Sequence, residues 1–122
     1  MSQDFDPIYQ DYILDLYRHP HNQGEIEAAD AVAEEFNPSC GDKIVLMLKI
    51  ADGMILDAKH SGQGCAISQA GISLLTDFMI GKSLSELKQF SAEAMIALLN
   101  IPISHTRYKC ATLGWLALQK AL

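Results

Sequence analysis

Four side chains with metal-ligand chemistry stand in this sequence where the chain pattern changes: Cys40, Asp42, Cys65 and Cys110. Cys65 closes the stretch Ser61-Gly62-Gln63-Gly64-Cys65, where an extended segment gives way to a helical pattern. A helix N-terminus carries unsatisfied N–H groups and the positive end of the macrodipole. A thiol there is pushed toward thiolate, the form that ligates metals and attacks sulfur. Gly62 and Gly64 allow positive φ and let another group approach without a Cβ clash. One such cysteine alone reads as a small buried side chain at a strand-to-helix turn, but this chain has two more in similar settings. Cys40 lies in Asn37-Pro38-Ser39-Cys40-Gly41-Asp42, and at near-extended spacing residues i and i+2 point the same way, so its sulfur and the Asp42 oxygen can meet at one point. Cys110 opens the last helical pattern. Three thiolates and a carboxylate suit Zn(II), or iron with sulfide, although no Cys-x-x-Cys pair of the zinc-finger kind occurs. The carboxylate is the harder, more replaceable ligand, which favours transfer over storage.

The elements that must position these residues follow from periodicity. Asp6-Pro7 reads as the cap and first turn of a helix whose apolar face is Ile8, Tyr9, Tyr12, Ile13, Leu16 and Tyr17, stopped at Pro20. His19 and His21 flank that proline and read as a solvated cap and turn. The period then changes to two. Ala31–Phe36 is a weak strand pattern, and Lys43–Ile50 is a stronger one, apolar on both faces, hence central and covered. Asp52-Gly53 is a hairpin turn leading into Met54–Lys59. Ile67, Gly71, Leu74, Leu75 and Phe78 mark a helix from Cys65, with Gly81 past its end. Ser83-Leu84-Ser85-Glu86 is a capping box, and Ser91 caps a helix with Met95, Leu98 and Leu99 inward. Leu113, Leu116 and Ala117 mark the packed side of the last helix. The order predicts one α+β domain over residues 1–122: an N-terminal helix, a three-stranded antiparallel meander, then helices on one face of the sheet. His60 is expected to be a partly buried strand residue, and His105 an exposed loop residue.

Composition narrows the function classes. The 122 residues are 49% hydrophobic, enough for a core without covalent staples, and 9 Lys+Arg against 15 Asp+Glu give a net charge of -6. A negative chain without a clustered basic stripe argues against nucleic acid or an anionic membrane as partner. No apolar run approaches bilayer-spanning length, and the N-terminal residues are acidic where a signal peptide is basic, so a cytoplasmic location is expected. Three cysteines, an odd number, in a reducing compartment point to metal or sulfur chemistry rather than a disulfide framework. No Ser-His-Asp set, phosphate loop or acid/base carboxylate pair appears.

Asn37-Pro38-Ser39-Cys40-Gly41-Asp42, Gly62-Gln63-Gly64-Cys65-Ala66-Ile67-Ser68 and Arg107-Tyr108-Lys109-Cys110-Ala111-Thr112-Leu113-Gly114-Trp115 resemble the three cysteine motifs of the U-type iron–sulfur assembly proteins, the family of IscU, SufU and the NifU N-terminal domain. Tyr17–Gly24 is similar to that family's turn after its first helix. The resemblance implies an α+β fold, with Cys40, Asp42, Cys65 and Cys110 as ligands. Lys109 before the third cysteine and Arg107 are similar to SufU, whereas the short run from Cys65 to Cys110 resembles IscU, and Ile101-Pro102-Ile103 is at best a remnant of the IscU chaperone-docking motif. As a scaffold, the thiolates would take persulfide sulfur from a cysteine desulfurase, build a [2Fe-2S] unit and release it to apo iron–sulfur acceptor proteins. As a sulfur acceptor of the SufU kind, the same residues would hold zinc at rest and free Cys40 to attack a persulfide, with Arg107 and Lys109 favouring thiolate. A purely structural zinc site is the alternative of another class.

Overall fold

The computed structural model describes residues 7–122, with side chains from residue 11 onward. The expected cap Asp6 and the side chains of Ile8 and Tyr9 lie outside the described residues. Helix α1 (Pro7–Arg18) buries Ile13 and Leu16, whereas Tyr12 and Tyr17 are exposed at its flanks, so its apolar face is narrower than the spacing suggests. Tyrosine tolerates this position because its ring packs while its hydroxyl stays wet.

Strands β1 (Ala31–Asn37), β2 (Asp42–Ala51) and β3 (Met54–Gln63) form an antiparallel sheet in the order β1-β2-β3, the predicted meander. Asp52 and Gly53 both take positive φ, 54° and 74°, as their two-residue turn requires. β3 runs past Lys59 to Gln63, where Gly62 pairs with Ile44 and Gln63 with Lys43. The sequence hides this extension because Ser61 and Gly62 have little intrinsic strand preference and are held by their partner strand. β2 is central, but only one of its faces is fully covered. Asp42, Ile44, Leu46 and Leu48 are buried; Val45 and Met47, pointing the other way, are half-buried.

The covered face packs on helices α2 (Ala66–Met79) and α5 (Tyr108–Ala121); α4 (Ala92–Leu99) packs on those two helices, α3 (Leu84–Lys88) adds Leu87 to the same core, and a 3-10 turn, His105–Arg107, leads into α5. Ser83 and Glu86 form the expected capping box on α3, and the Ser91 side chain caps α4. Ile44, Leu46, Leu48, Ile72, Leu75 and Leu118 are among the wholly buried side chains between sheet and helices. On α5, Leu113 and Ala117 pack inward as expected, but Leu116 is exposed, and Cys110, Ala111 and Leu118 take the inner side.

The turn after α1 is exposed at His19 and His21, as expected, but it is also fastened. His21 Nδ1 lies 2.6 Å from Asp77, Asn22 donates to Thr76 and Asp77, and His60 donates from Nε2 to the His21 carbonyl. His60 is 1% exposed, deeper than expected, and burial lowers its pKa below the ordinary 6.5. Among the described residues, no helix is long and apolar enough to cross a membrane.

Candidate metal centre

The site forms where the β1–β2 turn meets the starts of α2 and α5. In the turn, the Asn37 side chain accepts from Ser39 N–H, and its carbonyl accepts from Cys40 and Gly41 N–H, which presents the exposed Cys40 thiol. Asp42, the first residue of β2, points inward and is completely buried. Its Oδ1 accepts from Cys65 N–H at 2.9 Å, so a strand carboxylate caps α2, whose own first turn contains no acid. Cys65 is the N-cap residue, and its sulfur lies 3.8 Å from Asp42 Oδ2. Cys110, the third residue of α5, is 1% exposed, and its sulfur lies 3.3 Å from that of Cys40. Donor atoms of Cys40, Asp42 and Cys110 all fall within 4.8 Å of one another.

Helix packing sets these positions. A Cβ on Gly114, one turn beyond Cys110, would lie 2.9 Å from Ile72 Cδ1 on α2; a Cβ on Gly71 of α2 would lie 3.6 Å from the Ala111 carbonyl oxygen on α5. Two helices that approach this closely at glycines bring their N-termini, and the cysteines there, to one corner. Gly62 has φ +125°, and a methyl there would strike the Lys43 backbone; at Gly64 it would lie 2.7 Å from Asp42 Oδ1. The second glycine admits the carboxylate.

The electrostatics differ from the expectation at one thiol. Although Cys110 sits in the first turn of a helix, its pKa is pushed far up, first by burial, then by the hydrogen bonds to Cys40 and Asp42. A buried thiol crowded by two other donors cannot ionise alone. The donor set therefore fits a divalent cation, whose charge would reverse that balance.

Of the expected site residues, the structure brings Cys40, Asp42 and Cys110 into one cluster, with Cys65 on its Asp42 side. Lys109 lines a half-open cleft of about 450 Å³ at Cys40, together with Ser39, His105, Thr106 and Tyr108; Arg107 is exposed and is not among the residues lining it. His105 is exposed, as expected, but faces this cleft. Sequence reasoning gave no role to Asn37, a buried residue whose amide lies 3.9 Å from the Cys110 sulfur. The Asn-Pro dipeptide is a turn signal that would have found it.

An α+β domain with a thiol–carboxylate cluster at the junction of its sheet and two helix starts defines the class of a metal-handling thiol protein. The chain belongs to the family of the NifU-like N terminal domain, whose model matches residues 8–122. It is 34% identical to the zinc-dependent sulfurtransferase SufU of Bacillus subtilis (strain 168) over 141 positions, covering 99% of this chain and 93% of that protein. It is also 34% identical to the iron–sulfur cluster assembly scaffold protein IscU of Thermotoga maritima, covering 97% of this chain and 94% of that one. Identity thus does not separate the two kinds of relative. The crystal structure of a NifU-like protein (N-terminal) from Brucella abortus superposes with a TM-score of 0.76 at 26% identity, covering 95% of this chain and 92% of that one. A protein of the SUF system from Fervidobacterium islandicum AW-1, provisionally described as an assembly scaffold, gives a TM-score of 0.81 at 30% identity, covering 94% and 96%.

Proposed function

We propose that this protein serves iron–sulfur cluster assembly by accepting sulfur from a cysteine desulfurase at Cys40, within one domain spanning residues 1–122. The observation that carries this reading is the exposed Cys40 beside a buried thiol and a buried carboxylate, on the lining of an open cleft. A thiol donor site that were only structural would have no need of an accessible sulfur. Cys40, Asp42, Cys65 and Cys110 would hold zinc at rest, and a bound zinc ion supplies the positive charge that keeps thiols deprotonated at neutral pH.

The residues divide the work. The Cys40 thiolate attacks the outer sulfur of a persulfide on the desulfurase; an S–S bond forms at Cys40, the desulfurase S–S bond breaks, and its cysteine leaves as thiolate. The Lys109 ammonium on the cleft wall favours the anionic sulfur on arrival. Asp42 remains behind on the α2 N-terminus, with Cys65 and Cys110 beside it. In the scaffold branch, iron and sulfide are the cargo, held by the same thiols as a [2Fe-2S] unit and passed to apo acceptor proteins. A cytoplasmic, reducing setting suits an open thiol of this kind.

Two measurements test the proposal. Metal and sulfide content of anaerobically purified protein, followed by its effect on a cysteine desulfurase, should show bound zinc or labile iron and sulfide, with sulfur appearing on Cys40 and none on Cys40→Ser. Asp42→Cys should bind metal more tightly and transfer sulfur more slowly. A variant that binds more tightly and transfers normally would place the site with structural zinc, the reading that the burial of Asp42 and Cys110 favours.

A further inference from the structure

We propose that Cys110 is the resolving thiol of this site: it attacks the inner sulfur of a persulfide on Cys40, forms a Cys40–Cys110 disulfide and expels the outer sulfur as sulfide. This rests on the reading of Cys40 as the sulfur acceptor and adds a chemical step to it. The step balances without an outside reagent. The Cys40–S–S–H outer bond and the Cys110 S–H bond break, the Cys40–Cys110 bond forms, the proton goes to the departing sulfur, and one H2S leaves. The transferred sulfur is reduced, and the two protein thiols are oxidised. A small dithiol reductant must then reopen the disulfide before another turnover.

Three observations carry the inference. The sulfurs of Cys40 and Cys110 are 3.3 Å apart, the separation of a near-attack pair, and a disulfide needs a further approach of roughly 1.3 Å. That movement falls on the exposed turn of Cys40, where Gly41 holds φ +71°, and leaves α5 in place. Second, the thiols are unequal in access: Cys40 is open and Cys110 is 1% exposed, so an external persulfide reaches only the former. Third, the cleft lies over Cys40 with Lys109 on its wall. Cys110 is not among the residues that line it, so an outer sulfur seated in that cleft leaves the inner sulfur to the buried thiol, and the Lys109 side chain on the lining favours the leaving hydrosulfide. Cys65 is not the partner, because its sulfur sits against Asp42 and is outside the cluster that contains Cys40 and Cys110.

The test uses the full chain, chelator-treated and checked by circular dichroism for retained structure. It is charged with cysteine persulfide, desalted without reductant, and followed by intact mass, peptide mapping and sulfide assay. Wild type should gain one sulfur atom and then lose it as sulfide, ending two hydrogens lighter with Cys40 joined to Cys110. Cys110→Ser should keep its persulfide, releasing sulfide at least about tenfold more slowly. Equal release from wild type and Cys110→Ser, or a link from Cys40 to Cys65 or to a second chain, overturns the inference and leaves the acceptor reading standing. If neither wild type nor Cys110→Ser ever carries sulfur on Cys40, both readings fall. Should Cys110→Ser not fold, mapping of the wild-type product decides alone.

Discussion

The Asp42 carboxylate occupies the volume that a side chain at residue 64 would need, so a single methyl there separates site geometry from fold. In Gly64→Ala the new Cβ would strike Ser68 Oγ and lie 2.7 Å from Asp42 Oδ1, so the serine hydroxyl must swing aside and the carboxylate must turn away from Cys65 N–H. Metal affinity should fall by about 10- to 100-fold in a chelator competition, the range for disturbed ligand orientation, with the circular dichroism spectrum unchanged. Gly62→Ala should behave oppositely. Its φ of +125° and its contact with the Lys43 backbone leave no relaxed arrangement, and a loss of about 2–4 kcal/mol is expected in urea unfolding. That these glycines admit a close neighbour was legible in the sequence. That the neighbours are Asp42 and Lys43 was not, because the identity of a packed group depends on strand register. Cys110 shows the same limit. Its helix-start position suggests thiolate, whereas burial, which spacing cannot reveal, pushes the thiol up.

The elements most readable from sequence are those fixed by local chemistry. Asp52-Gly53 specifies its turn without help from elsewhere, and Ser83 and Ser91 cap their helices through neighbours three residues on. Elements fixed from a distance are less readable: the extension of β3, and the turn after α1, whose histidines are exposed as expected but whose ties to α2 and β3 do not show in the spacing. That turn is a strap between α2 and β3, joined by the His21–Asp77 pair, by Asn22 Nδ2 at 3.0 Å from Thr76 Oγ1 and 2.8 Å from Asp77 Oδ1, and by Asn22 O accepting from His60 N–H. Asn22 also holds φ +59°, a conformation that asparagine tolerates better than most residues. Asn22→Ala should therefore lose about 2–3 kcal/mol, and Asn22→Gly, which keeps the backbone relaxed but not the side-chain bonds, about 1 kcal/mol less than that. Denaturant midpoints of the two variants check the ordering.

At the scale of the whole molecule, His60 joins the sheet, the strap and the pH dependence of stability. It is a buried member of β3, its Nε2 donates to the His21 carbonyl, and its backbone exchanges hydrogen bonds with Asn22 and Gly24. Burial is the main reason its folded pKa lies below 6.5; the hydrogen bond to His21 opposes the shift, and the charge of Lys59 adds to it. In the unfolded chain the imidazole takes up a proton near its ordinary value, so below about pH 6.5 the unfolded state binds more protons than the folded one. The sign follows. The contribution of neutral His60 is fully present above about pH 6.5 and is lost as pH falls toward and through the lower folded value. Urea unfolding at pH 7.5 and at pH 5.5, on metal-free protein, should show wild type losing stability across that interval. His60→Gln keeps a side-chain N–H for the His21 carbonyl but cannot titrate, so it should start less stable and lose less on acidification. Equal losses in the two proteins would assign the acid sensitivity to other groups and leave His60 a packing residue only.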